Sequence, residues 1–148
     1  MRQHRAMERT SIRRAVASVT LLGAGVVHAI VVPQHLHEWV AAGVFFVILA
    51  VVEAIGAAVV WSDRMIGSRL VVNGLVAVTA GTIALWAVSR TVGLPFGPDP
   101  GMPEAVGAWD IAATTMELIT LVALLWPARV PSPVTAVRTE PSEDRAAA

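Results

Sequence analysis

Four apolar runs, each about as long as a bilayer core is thick, constrain this chain more than any other feature. A hydrocarbon core of about 30 Å takes roughly 20 residues of helix to cross. The runs Ala15 to Val32, Val40 to Trp61, Leu70 to Ser89 and Trp109 to Trp126 meet that length. Each is bounded by a recognisable stop. Arg13 and Arg14 precede the first run and Pro33 follows it, Ser62, Asp63 and Arg64 separate the second from the third, and Pro127 follows the fourth. In lipid a backbone must satisfy its own hydrogen bonds, which leaves only helices and closed barrels. A barrel would show alternating segments of about ten residues, so the runs are read as helices. The expected fold is all-α: a four-helix transmembrane bundle over residues 15–126, built as two outward-facing helical hairpins.

Composition excludes most alternatives. The 148 residues are 55% hydrophobic and 15% charged, against about 25% charge in a soluble domain. Such a chain is too apolar to be disordered, and with a net charge of zero it has no basic surplus for nucleic acid. It has no cysteine, which removes disulfides, thiolate metal sites and thiol catalysis. The partner it implies is a lipid bilayer.

All 11 basic residues are arginine, and their placement predicts an orientation. Arg2, Arg5, Arg9, Arg13 and Arg14 precede the first run, Arg64 and Arg69 lie in the second connection, and Arg129, Arg138 and Arg145 lie in the tail. The first and third connections together hold only Arg90. Under the positive-inside rule both termini are cytoplasmic, in a multi-pass protein of the cell membrane. Trp39, Trp61, Trp86, Trp109 and Trp126 fall at or near predicted helix ends, where amphipathic rings prefer the interface. Residues 1–14 read as a cytoplasmic basic N-terminus. Residues 127–148, with Pro127, Pro131, Pro133 and Pro141, read as a disordered cytoplasmic tail. A rival reading makes the first run a cleaved export signal, with Arg13-Arg14 before it and Val27-His28-Ala29 as the cleavage site; three helices would then remain in the same orientation.

Ionisable residues inside spans are the functional candidates, since each costs about 2.5 to 3.5 kcal/mol at a helix centre. Glu53 lies eight residues before Trp61 and Glu117 nine before Trp126, which places both roughly 12 to 14 Å from the cytoplasmic interface. They can face one another across the bundle. Two close carboxylates without a cation cannot both ionise there, so a proton or a metal is shared or one stays neutral. The bland alternative is that each is hydrogen-bonded glue between helices. Asp110, Thr114 and Glu117 share one face of the fourth helix, and Asn73 heads a small-residue stripe on the third, with Ala77, Ala80, Ala84 and Ala87. Glu53 shares its own face with Gly43, Phe46, Ala50 and Ala57. The predicted intramembrane polar site is therefore Glu53, Glu117, Asn73 and Thr114.

A second candidate is an outer metal or proton site. His28 is read about one turn below Pro33, with His35 and His37 in an extended loop that points both the same way. Asp110 is expected at the depth of His28. These residues suit a divalent metal without thiolates, or they are ordinary interfacial residues and a plain His28 to Asp110 pair. The connection from Arg90 to Ala108 is rich in glycine and proline and carries Leu94 and Phe96. It is expected to fold back over the bundle mouth, as a lid or as a plain connector. The spacing of Gly43, Glu53 and Trp61 also weakly echoes that of Gly107, Glu117 and Trp126.

The segment from Ser89 through Arg90, Thr91, Gly93, Leu94, Pro95, Gly97 and Pro98, followed by Glu104, Gly107, Asp110 and Glu117, resembles a pattern in an uncharacterised family of small four-helix integral membrane proteins from GC-rich bacteria. The block from His28 through Pro33, His35, Glu38, Trp39, Gly43, Phe45 and Phe46 is similar to the same proteins. The resemblance implies topology and a site, not an activity. Glu53 departs from it, standing where a neutral polar residue such as glutamine is expected. Two functions are carried forward. One is a small oligomeric protein that handles a proton or cation in transport, as a homodimer or with a membrane-protein partner. The other is a non-catalytic subunit or scaffold whose polar residues fix helix packing. With no nucleophile beside a base, no phosphate loop and no dinucleotide motif, an enzyme is not expected. No cofactor is expected apart from the divalent metal.

Overall fold

A computed structural model describes residues 2–62 and 68–126, all of them helix or connection with no strand among them. The elements are α1 (Arg2–Glu38), α2 (Val40–Ser62), α3 (Arg69–Thr91) and α4 (Ala108–Leu125). All four are long and apolar enough to cross a membrane, so the chain is an all-α bundle compatible with a multi-pass membrane protein. The expected tail, and Asp63 and Arg64 of the second connection, lie outside the described residues.

Helix α1 is the organising element, packed along both α2 and α4, while α3 packs against α4. The Ser18 hydroxyl donates to the Ala57 carbonyl at 2.7 Å, and Leu36 covers Gly43, so α1 and α2 form an antiparallel hairpin. Arg13 Nε donates to the Ala123 carbonyl at 3.3 Å, which brings the early part of α1 to the last turn of α4. The bundle thus has a terminal end, near Arg13, and a hairpin end, where the α1–α2 turn and the 92–107 connection lie.

Two arginines read from sequence only as topology markers also close helices. Arg14 Nη2 donates to the Trp61 carbonyl at 2.6 Å, while Arg13 reaches α4. Both satisfy carbonyls in a last helical turn, where a cation also complements the helix dipole.

Pro33 does not end the first helix, as the sequence reading expects. It lies inside α1, which runs on to Glu38 and leaves Trp39 as the sole break before α2. The ring removes one N–H, yet the last turns keep other partners: Trp39 N donates to the His35 carbonyl at 2.7 Å, and Gln34 Nε2 donates to Glu38 at 2.9 Å. Proline is tolerated in a membrane helix where neighbouring packing and local bonds support the turn.

At the terminal end an apolar core forms from Ala17 and Leu21 of α1, Ala57 and Val60 of α2, Leu75 of α3 and Ala123 of α4. A side chain at Gly56 would collide with Leu75, so α2 and α3 meet closely there. The predicted small-residue stripe of α3 does not join this packing. Asn73, Ala77, Ala80 and Ala84 are exposed, because α3 buries instead the face of Leu75 and Thr79. At its other end α3 stops at Gly93, whose φ of +77° and N–H to the Val88 carbonyl close the helix in the left-handed conformation that glycine adopts without strain.

Candidate functional site

Each of three helices brings one ionisable residue to its buried face. On α1, Ala17, Leu21, Ala24 and His28 recur at helical spacing, and none is more than 6% exposed. On α2 the buried positions Leu49, Glu53, Ala57 and Val60 follow the same rule, and on α4 so do Ala113, Glu117 and Thr120. His28, Glu53 and Glu117 consequently meet, each offering a donor atom, with these atoms all within 4.8 Å of one another. Glu53 and Glu117 are each 1% exposed and His28 is 5% exposed.

His28 Nδ1 and Glu53 Oε2 are hydrogen-bonded at 2.7 Å. Gly25, one turn from His28, makes the approach possible, because a side chain there would press on the Ala50 carbonyl and Glu53 Cβ at 3.2 and 3.3 Å. Glu53 Oε1 and Glu117 Oε1 are buried with no hydrogen-bond partner among the described residues. Leaving a buried acceptor unmade costs about 1 to 3 kcal/mol, more for a charged group. These two oxygens mark the place where a proton or cation would be held.

A cavity of about 430 Å³ descends from the hairpin end to this cluster. His28, Thr114 and Glu117 line its depth, while Phe45, Phe46, Trp86 and Trp109 supply much of its apolar wall. At the mouth, Arg90 forms ion pairs with Glu104 and with Asp110, the latter at 2.7 Å. The other Asp110 oxygen accepts the Gly107 N–H at 2.6 Å and so caps α4. One guanidinium between two carboxylates leaves the mouth one negative charge in excess. The 92–107 connection folds back here, with Leu94 and Phe96 on the cavity and Phe96 against Trp39 at a ring separation of 6.0 Å.

The residues read from sequence are regrouped. Glu53 and Glu117 converge, and Thr114 lines the cavity one turn from Glu117, but Asn73 lies on the outward face of α3 and takes no part in the polar site. His28 belongs with the two glutamates rather than at the outer mouth. With α1 continuing to Glu38, His28 lies ten residues inside the helix end, about 15 Å down rather than one turn. It pairs with Glu53 and not with Asp110, which is held by Arg90. His35 and His37 do not point the same way, because two residues on a helix are about 200° apart, not 360° as on a strand. His35 binds the Val31 carbonyl and packs on Phe46 at 4.4 Å, whereas His37 is exposed. The outer metal set of His28, His35, His37 and Asp110 is therefore not assembled. With α3 extending to Thr91, Arg90 lies inside that helix, where Glu104 and Asp110 hold it at the mouth.

Trp86 was read as an interfacial residue, yet it lines the cavity, with a buried Nε1 lacking a partner among the described residues. The sequence signal for His28 was the Ala17, Leu21, Ala24 stripe leading to it. Comparison of the chain with protein-family models, with curated proteins and with solved structures found no match.

Proposed function

We propose that this chain is a multi-pass protein of the cell membrane, with both termini cytoplasmic, that takes up a proton or small cation at His28, Glu53 and Glu117. The observation that carries the reading is the cavity whose depth is lined by two members of a buried cluster with unpartnered carboxylate oxygens. Under the arginine asymmetry the hairpin end faces outward, and a cation enters past the acidic mouth. On the cytoplasmic side of the cluster, Leu21, Val60 and Leu75 pack together, so the site is approached from outside in this conformation. Release to the other side would require α3 to move relative to α1 and α2. A homodimer or a membrane-protein partner belongs to the same proposal, as does membership of the four-helix family that the sequence resembles. No enzymatic role is assigned.

Infrared difference spectroscopy on the protein in lipid nanodiscs tests the reading. A carboxylic-acid band that changes with pH and is lost in Glu53→Gln and in Glu117→Gln is expected. A spectrum that neither variant alters would remove the site.

A second reading has its own support. The Ser18 hydroxyl on the Ala57 carbonyl and the Thr20 to Thr120 hydrogen bond, both 2.7 Å, tie helices together through polar groups. In that reading the protein is a scaffold and the glutamates are further ties of the same kind. Variants that lose thermal stability without altering protonation would favour it.

A further inference from the structure

Charge and donor chemistry at the His28, Glu53 and Glu117 cluster go further than a generic cation. We infer that the cluster, with its two buried and unpartnered carboxylate oxygens, is a binding site for a divalent first-row transition ion, such as Zn²⁺ or Mn²⁺. The inference rests on the proposed function, which it makes specific.

The donor set is one imidazole nitrogen and two carboxylates, drawn from three helices. Imidazole with carboxylate suits zinc, manganese and ferrous iron, whereas Mg²⁺ demands near-octahedral oxygen and Ca²⁺ six or more oxygens. The hydrogen bond to Glu53 engages Nδ1 of His28, so ligation through that atom exchanges the hydrogen bond for a metal bond, and ligation through the other ring nitrogen keeps it. A metal bound at about 2.0 to 2.2 Å draws its ligand atoms closer together than the 4.8 Å within which the three donor atoms lie. Side-chain rotation of the two glutamates, each with a free oxygen, closes that difference.

Electroneutrality sets the stoichiometry. A net charge is costly in a low-dielectric interior, so the metal-free cluster is neutral either as a protonated histidine with one carboxylate and one carboxylic acid, or as a neutral histidine with two carboxylic acids. Both arrangements carry two protons beyond the form with neutral histidine and two carboxylates. With a divalent ion that form, too, is neutral. Binding M²⁺ therefore releases two protons whichever arrangement holds, and charge balances on both sides. The protons leave, and the ion arrives, through a cavity whose mouth carries Glu104 and Asp110 against the single Arg90.

The full chain in nanodiscs is titrated with Zn²⁺ and with Co²⁺, and proton release is counted by calorimetry in buffers of different ionisation enthalpy. One ion per chain and two protons per ion are expected, with affinity rising about 100-fold per pH unit where the cluster is protonated. Glu117→Gln and Glu53→Gln, which keep side-chain shape, should each weaken binding more than about tenfold and lower the release to one proton. His28→Gln should remove the imidazole signature from the Co²⁺ spectrum; if it does not fold, the two glutamine variants carry the test alone. Mg²⁺ should not compete. Absence of binding, or binding that survives in both glutamine variants and is lost on His35→Ala and His37→Ala, would overturn the metal site. If no ion binds but the carboxylic-acid band still titrates, the proposed function survives with a proton alone. If both fail, that reading falls too.

Discussion

Helices α1 and α3 have similar apolar character but opposite roles. In α1 one stripe, Ala17, Leu21, Ala24 and His28, is sealed against two neighbours along most of the span. In α3 only Leu75, Thr79 and Ser89 are buried, and its small residues face outward. At the terminal end α3 closes on Gly56 and Leu21 through Leu75, but towards the hairpin end it keeps to α4, stands off from α1 and α2 and becomes a wall of the cavity. The contrast teaches where polar groups can be kept. Close packing on α1 holds a histidine and a glutamate at hydrogen-bond distance, while the loose packing of α3 leaves the space through which that pair is reached.

The strongest way to break this contrast is to remove a partner from the sealed side. Glu53→Ala leaves His28 buried without its hydrogen bond and opens a void beside Gly25. A loss of about 3 kcal/mol or more is expected, read as a lower unfolding midpoint in detergent or bicelles. Glu53→Gln, which can still accept from the ring, should cost clearly less. Equal losses would mean that the carboxylate is not the histidine's partner. Next in size is Gly25→Val, which drives a side chain into the Ala50 carbonyl and Glu53 Cβ. Overpacking of this kind costs about 1 to 3 kcal/mol, and the His28 to Glu53 contact should be displaced, visible as a changed imidazole resonance.

The mouth is softer. Arg90→Gln removes both ion pairs; the Arg90 side chain is only 11% exposed, but its partners reach solvent, Glu104 at 58% and Asp110 at 23%. Pairs this open to solvent contribute up to about 1 kcal/mol each and weaken with salt. The expected outcome is a small stability loss that shrinks at high ionic strength. The 92–107 connection should also loosen, measured by faster amide exchange at Glu104, whose N–H is bonded to the Ser89 carbonyl.

The spans were legible in sequence because length and hydropathy are local properties, and three of the four were placed within a few residues. Helix α1 was the exception. Pro33 has a strong local preference for ending a helix, yet the packing of Leu36 on Gly43 and of His35 on Phe46 carries α1 past it. A helix ended at Pro33 places His28 near the mouth with His35, His37 and Asp110, whereas a helix that runs to Glu38 places it in the middle of the bundle. Glu53 and Glu117, each counted from the tryptophan at the far end of its helix, are expected at one level of the bundle, and donor atoms of the two lie within 4.8 Å of each other. Asn73 was misplaced for a different reason. A small-residue stripe indicates that a helix can be approached closely, but not which face of a loosely held helix its neighbours take.

The smallest expected effect lies on that outward face. Around Gly74 and Gly81 nothing among the described residues stands within 4 Å of where a side chain would begin, in contrast to Gly25 on α1. Gly74→Ala and Gly81→Ala therefore meet no clash, and alanine removes backbone freedom that glycine loses on forming a helix. Each should leave the unfolding midpoint unchanged or raise it, by at most about 1 kcal/mol. The sign is the informative part. The same substitution at Gly25 meets the Ala50 carbonyl and Glu53 Cβ at 3.2 and 3.3 Å, so a loss is expected there where α1 and α2 hold their places, and the pair of measurements tests the contrast directly. A loss at Gly74 or Gly81 would require a surface against α3 that the described residues of one chain do not provide. A second copy is the simplest candidate, since Asn73 beside Gly74 could then bond across the interface. Crosslinking or mass photometry of wild type and Gly81→Leu in nanodiscs separates the cases: one species in both means α3 faces lipid, and a dimer lost in the variant means that it does not.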